Sequence, residues 1–378
     1  MNHSADETRA SLANNLRYFI KWSLIALLIG GTGGLIGSLF SMGVSFATSF
    51  RMNHPNMLFF LPVSGILIVW LYHTFHEEGN RGTNMVIDAI SSTEKVTLAT
   101  GPLIFVSTVL THIAGGSSGR EGAALQLGGS LGNLFGNAIH LDEKDKKIAI
   151  MCGMSAVFSA LFGTPVAAAI FPLEVISIGV LYYAALVPCI FSSFIGVGIA
   201  RYLGIAGEHF TVLSIPAISV SSVGWIIFLS ALCAGVSIVF CLMLHGAEHT
   251  YRKIFPNPYV RILAASAIFI LLTLLIGTRD YCGSSMPLIE RSMEGEIGYE
   301  AFFLKMLFTA IALGAGFKGG EIVPTLCVGA AFGCAFGQIT GFAPSLCAAC
   351  SMAALFAGVT NCPISSLVIA LELFGYEG

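Results

Sequence analysis

The chain has 378 residues, of which 55% are hydrophobic and only 10% charged, with a formal net charge of −3 and a mean hydropathy of +0.83. A soluble globular domain carries about 25% charged residues, so this chain has too little charge to cover a water-facing surface. The near-neutral balance gives no reason to expect nucleic acid or an acidic partner.

Apolar runs recur along the chain, several of them near the roughly 20 residues needed to cross a hydrocarbon core. The first, from Tyr18 to about Phe50, follows a polar start (Met1 to Asn15) and is too long for the apolar core of a cleavable signal. It reads as a retained, tilted span. Arg9, Arg17 and Lys21 precede it and favour a cytoplasmic N-terminus. Further runs are expected at 55–74, 97–114, 122–140, 147–162, 165–180, 181–203, 218–246, 258–278, 302–315, 322–342, 345–359 and 363–374. Spans in lipid must satisfy their own backbone, so the fold class is an all-α integral membrane protein occupying the whole chain, 1–378.

Several runs are too short to span alone. They are split by Gly and Pro clusters at Gly115 to Gly122, Gly163-Thr164-Pro165, Gly314 to Pro324 and Asn361-Cys362-Pro363. Helix ends inside a membrane are tolerated where they line a cavity or are buried in protein, and broken helices are a mark of transporters.

Met154-Ser155-Ala156-Val157-Phe158, Pro165 and Glu174 have counterparts in Met352-Ala353-Ala354-Leu355-Phe356, Pro363 and Glu372. The offset is constant, since 352 − 154, 363 − 165 and 372 − 174 all equal 198. Gly- and Ala-rich helices can look alike, but shared spacing across Met, Phe, Pro and Glu favours duplication. A first repeat over 17–205 and a second over 217–378 are expected, inverted in the membrane, with the substrate site at their interface near the midplane.

Upstream of each copy lies a Gly-rich turn that carries a glutamate. In Gly119-Arg120-Glu121-Gly122 the glycines permit a tight turn into a helix, whose free amides and dipole make an anion site. A glutamate there competes with the anion while ionised and releases it once protonated, so one side chain couples anion movement to protons. It could instead merely satisfy the dipole, but a glutamate at membrane depth defaults to function. Gly320-Glu321-Ile322-Val323-Pro324 repeats the logic, with Pro324 at home in a first helical turn. The Ile322 and Val323 amides would face the same anion, and Glu321 would set a second carboxylate beside the first. Two carboxylates near an anion cannot both be ionised cheaply, so one is expected to keep a proton and donate a hydrogen bond. Fluoride, small and strongly hydrated, needs such strong donors. A third Gly-broken entry, Gly79 to Met85, brings Asn84 and Met85 into consideration, with an ordinary interfacial turn as the alternative.

Two other signals count for less. Gly115 to Gly119 matches G-x-S-x-G, but no strand precedes it, so a serine hydrolase built on Ser117 is a remote alternative. Cys347 and Cys350 form a C-x-x-C, better read as small residues on a packed helix face than as a metal or redox pair. No pattern requires a cofactor or a metal, and nothing favours an enzyme.

At these residues the sequence resembles the CLC family of chloride channels and anion/proton antiporters, specifically its bacterial fluoride/proton antiporter branch. Gly119 to Gly122 resembles the family's G-R-E-G motif with its gating glutamate. Gly319 to Pro324 sits where the chloride branch has G-x-F-x-P. The resemblance implies a homodimer with one pathway per subunit, seated in the bacterial cytoplasmic membrane, exporting fluoride as protons enter. Chloride/proton antiport and a passive anion channel are the alternatives. Glu321 departs from the chloride pattern as the fluoride branch does, and the serine of G-S-G-I-P is missing near Gly82 to Met85. Glu174 is followed by Val175 rather than a second glutamate, so Glu321 becomes the candidate for the proton role. The family also continues with two further helices bearing a tyrosine, and Tyr376 comes too early to match it. Gating and proton transfer thus fall to Glu121 and Glu321. Anion binding falls to Gly119, Arg120, Gly122, Gly320, Ile322, Val323, Asn84 and Met85.

Overall fold

The computed structural model describes residues 2–79, 82–91, 96–176 and 181–375; Asn80, Arg81 and Tyr376 lie outside them. The helices are, in order, α1 (Asn2–Asn53), α2 (Leu61–Thr74), α3 (Thr83–Ser91), α4 (Thr100–Ala114), α5 (Glu121–Ala138), α6 (Glu143–Phe162), α7 (Pro165–Glu174) and α8 (Leu186–Tyr202). They continue with α9 (Val220–Ile254), α10 (Pro258–Ile276), α11 (Met286–Glu294), α12 (Ala301–Ala315), α13 (Ile322–Thr340), α14 (Pro344–Thr360) and α15 (Pro363–Phe374). Six segments among the described residues are long and apolar enough to cross a membrane. The chain is an all-α membrane protein, as its apolar runs imply.

Most helices fall on the expected runs. Two do not: α3 and α11 are short and lie in stretches without a long apolar run. The helix α9 extends past the expected end at 246 to Ile254, where Glu248 and Arg252 pair one turn apart at 2.7 Å. The expected 165–180 run ends sooner, because α7 stops at Glu174.

Helix starts correspond at two spacings. From α4 to α12 and from α5 to α13 the offset is 201 residues (301 − 100, 322 − 121), whereas from α7 to α15 it is 198 (363 − 165). Each of these stretches contains a closely crossed pair. A Cβ on Gly132 would lie 2.1 Å from the Ala149 carbonyl oxygen across the α5–α6 crossing, and one on Gly333 would lie 2.1 Å from that of Cys347 across α13–α14. Only a bare backbone allows such approach. The aromatic residues of the two Met-to-Phe motifs meet in the core through Phe171, which lies 5.6 Å from Phe158 and 5.7 Å from Phe356 between ring centroids.

The short helices α7 and α15 are joined end to end by two carboxylates. Glu174, at the C-terminal end of α7, accepts from the Ile364 and Ser365 amides at 3.0 and 2.8 Å and from the Ser365 hydroxyl at 2.6 Å. Glu372, near the end of α15, accepts from the Val166 and Ala167 amides at 2.9 and 2.8 Å. Neither N-cap residue, Thr164 or Cys362, supplies a side-chain cap of its own. Each helix therefore caps the other. The free amides at each tip, which would be costly to leave unpaired in apolar surroundings, are met by a charged acceptor.

Candidate functional site

The two glycine turns meet. Gly119 donates its amide to Gly320 at 2.7 Å and Gly320 donates back to Gly119 at 2.8 Å, an isolated antiparallel bridge. It holds the starts of α5 and α13 together. A Cβ on Gly122 would lie 2.8 Å from the Gly320 Cα and 2.9 Å from the Thr83 hydroxyl. Three helix N-termini, those of α3, α5 and α13, thus converge on Gly122, and the glycine there is required by the closeness of the approach. The Thr83 hydroxyl donates to the Gly122 carbonyl at 3.3 Å.

Glu121 is the first residue of α5 and is buried, 1% exposed. Its side chain turns back over its own helix start, where Oε2 accepts from the Arg120 amide at 2.9 Å and Oε1 lies 3.4 Å from Arg120 Nε. The same oxygen would sit 2.7 Å from a Cβ on Gly119. The carboxylate therefore occupies the ground that free amides and the helix dipole prepare for an anion. Arg120 is held in turn by Glu208 at 2.5 Å, with Ser41 at 3.4 Å.

A cavity of about 550 Å³ reaches this point from the end of α1 and is lined by Glu121, Arg120 and Val323 among others. Val323 is on the first turn of α13, so both tips open into one space. The Ile322 and Val323 amides occupy the first two positions of α13, where no intrahelical acceptor exists, and both residues are 3% exposed. Pro324 follows and brings no donor.

Glu321 is placed differently. It is the N-cap of α13, one position before the helix, whereas Glu121 lies one position inside α5. It is half-buried, does not line the 550 Å³ cavity, and lies within electrostatic reach of His245 and Cys241 on α9. Among the described residues no other residue donates to its carboxylate. The structure joins Glu121 to Val323 but does not set the two carboxylates side by side. The third turn also differs in detail from the expected reading: Asn84 is exposed and Met85 is buried in the core, while Thr83 is the residue that touches the α5 tip.

Thr83, Glu208 and Arg51 were not singled out from the sequence. Thr83 stood inside the inspected turn. Glu208 stands in a loop nearly ninety positions from its partner Arg120 and gave no local signal. Gln126, fully buried one turn above Gly122, donates to the Gly122 carbonyl at 3.3 Å and leaves its own oxygen without a partner.

Ser117, the serine of the G-x-S-x-G match, is fully buried and takes a hydrogen bond from the equally buried Lys305 at 2.8 Å, with Thr309 at 3.0 Å. Lys305 also donates to the Gly283 carbonyl at 2.9 Å. This network props the loop that carries Arg120 and Glu121. Cys347 donates to the Phe342 carbonyl, and its thiol and that of Cys350 are free.

A family profile described as voltage gated chloride channel matches residues 64–377. The chain belongs to this family. As a CLC protein it is 30% identical over 369 residues to the chloride/fluoride channel protein of Pseudomonas syringae pv. tomato, covering 96% of this chain and 82% of that one. It is 24% identical over 380 residues to the H(+)/Cl(-) exchange transporter ClcA of Vibrio cholerae, covering 92% and 81%. Among solved structures, a CLC-type fluoride/proton antiporter superposes with a TM-score of 0.90 at 30% identity, covering 95% of this chain and 91% of that one. A slow cyanobacterial Cl-/H+ antiporter gives 0.78 at 18% identity, covering 93% and 89%, a likeness of fold. The chain is thus a CLC-family membrane transporter.

Proposed function

We propose that the chain is a fluoride/proton antiporter that exports fluoride as protons enter, with Glu121 as its gate. The observation that carries this reading is the fold-back of the Glu121 carboxylate onto its own helix tip, in the cavity that Val323 shares. A charged carboxylate there excludes an anion from the amides. A proton removes the charge and with it the attraction to the dipole, the side chain swings into the cavity, and an anion takes the tip. Each exchange of anion for carboxylate then moves a proton, which is the coupling.

The fluoride assignment draws support from the chloride/fluoride channel relative and the fluoride/proton antiporter structure, and from Glu321 in the second turn. The Arg120, Gly122, Ile322 and Val323 amides form the anion cradle, while Gly119 and Gly320, whose amides pair with each other, hold the two tips together. Asn84 and Met85 follow Thr83 on the third tip. Glu321, facing α9 rather than the Glu121 cavity, is the candidate for passing protons on the other side. The working unit is proposed as a homodimer of chains, each with halves 17–205 and 217–378, in a bacterial cytoplasmic membrane.

The test uses purified protein in liposomes loaded with fluoride. Fluoride efflux should acidify the lumen, and Glu121→Gln should leave no proton movement driven by fluoride. Fluoride flux without protons in the unaltered protein would make it a passive channel. Equal rates for chloride would end the fluoride assignment.

A further inference from the structure

Four arginines and four carboxylates line the cavity that reaches Glu121, but not all of them are paired. Two of its arginines are matched: Arg120 with Glu208, and Arg291 with Asp280 at 2.7 Å. Two others, Arg51 in the last turn of α1 and Arg279 in the loop after α10, form no ion pair among the described residues, yet both line the cavity. The charged or ionisable groups in electrostatic reach of Arg51 include Arg279, Lys305, His112 and the Cys282 thiol, with no carboxylate among them. Its Nε is buried and has no hydrogen-bond partner.

The backbone around Arg51 is built to admit it. A Cβ on Gly283 would lie 3.1 Å from Arg51 Nη2, and one on Gly115 would lie 3.2 Å from its Cδ. The Gly283 amide donates to the Gly115 carbonyl at 3.0 Å, tying the two walls together. Beneath them Lys305, fully buried and within electrostatic reach of Arg51, donates to the Gly283 carbonyl and also lacks a carboxylate partner. Two cations without an ion pair among the described residues thus sit on the cavity wall with Lys305 behind them, and the carboxylate left on that wall, Glu290, is paired with none of the three. Buried like charges repel unless something of opposite sign sits between them, and the Arg51 guanidinium on the cavity wall offers that visitor its planar donors.

We propose that Arg51 and Arg279 form an outer binding site for a small inorganic anion, one step before the Glu121 tip. The site would hold the ion while the gate is closed and hand it inward when Glu121 leaves. It takes the anion cargo of the proposed function as given but does not depend on proton coupling. Uncoupled flux in the unaltered protein would therefore refute the antiport reading while leaving this one standing.

The experiment measures initial anion flux in liposomes against fluoride concentration, for the unaltered protein, Arg51→Gln, Arg51→Lys and Arg279→Gln. If fluoride is not carried, chloride serves as the probe. Arg51→Gln and Arg279→Gln should each raise the half-saturating concentration by about 3- to 10-fold, the order expected when one charge focusing an anion is lost, with maximal rates kept within about twofold. Arg51→Lys should recover only part of the shift, since an ammonium lacks the planar fork of the guanidinium. Unchanged half-saturation in both Gln variants would overturn the site. Full recovery by Arg51→Lys would also overturn it, in favour of a long-range field. Arg279 is exposed, so its variant decides the matter if substitution of the partly buried Arg51 disturbs folding.

Discussion

The helix-end glutamates Glu121, Glu174, Glu321 and Glu372 divide into two pairs that behave differently. Glu174 and Glu372 each reach across to the other half of the chain and accept two backbone amides, with a serine hydroxyl added for Glu174. Glu121 accepts one neighbouring amide of its own turn, and Glu321 accepts none from another residue. A carboxylate with two or three donors at the tip of another helix is locked, because leaving would strand those donors in apolar surroundings. One held only by its own turn, through the Arg120 amide and guanidinium, and facing a cavity, can leave. The difference teaches which acids are joints and which are movable parts, although all four share residue type and helix-end position.

The comparison can be broken at each member. Glu121→Gln should produce the largest functional effect, complete loss of fluoride-driven proton movement. The melting stability in detergent should change by less than about 1 kcal/mol, since the amide oxygen can still accept from Arg120. Glu174→Leu should do the reverse: it leaves two amides and a hydroxyl unmet and should lower stability by about 2–4 kcal/mol, read as an earlier thermal midpoint by size-exclusion chromatography. A melting curve for Glu174→Leu that matched the parent would show that the α7–α15 joint is not structural. Glu372→Leu should cost less, about 1–2 kcal/mol, because one of its two donors lies in an exposed part of the α7 tip. Glu321→Gln should move stability by no more than about 0.5 kcal/mol, as expected for a half-buried group without a donor from another residue. A larger loss would mean that Glu321 is held after all.

Much of the fold was legible because apolar runs, glycine breaks and prolines act locally. Pro165 and Pro363 start α7 and α15 where their fixed φ suits a first turn, and Gly119 to Gly122 marked the start of α5 within one residue. What could not be read was register and reach. Glu121 and Glu321 look equivalent in their turns, yet the helix starts are offset by 201 while the glutamates are offset by 200 (321 − 121). One residue is about 100° of rotation on a helix, enough to aim one acid into the cavity and the other toward α9. The pairing of Arg120 with Glu208, and of Glu174 with the amides at 364 and 365, joins residues remote in sequence and leaves no periodic trace. Arg51, partly buried against the Gly115 and Gly283 backbones, gave no local signal either.

The α7–α15 joint also has a consequence for how the chain is made. Its four ends lie nearly 200 positions apart, so when the ribosome has delivered the first half, the α7 tip has free amides and Glu174 has no acceptor role to fill. That half enters the bilayer with an unfinished seam, and the seam closes only when α15 arrives. A nascent chain stalled before Pro363 should accordingly be more open to proteases and quality-control factors than its length alone suggests.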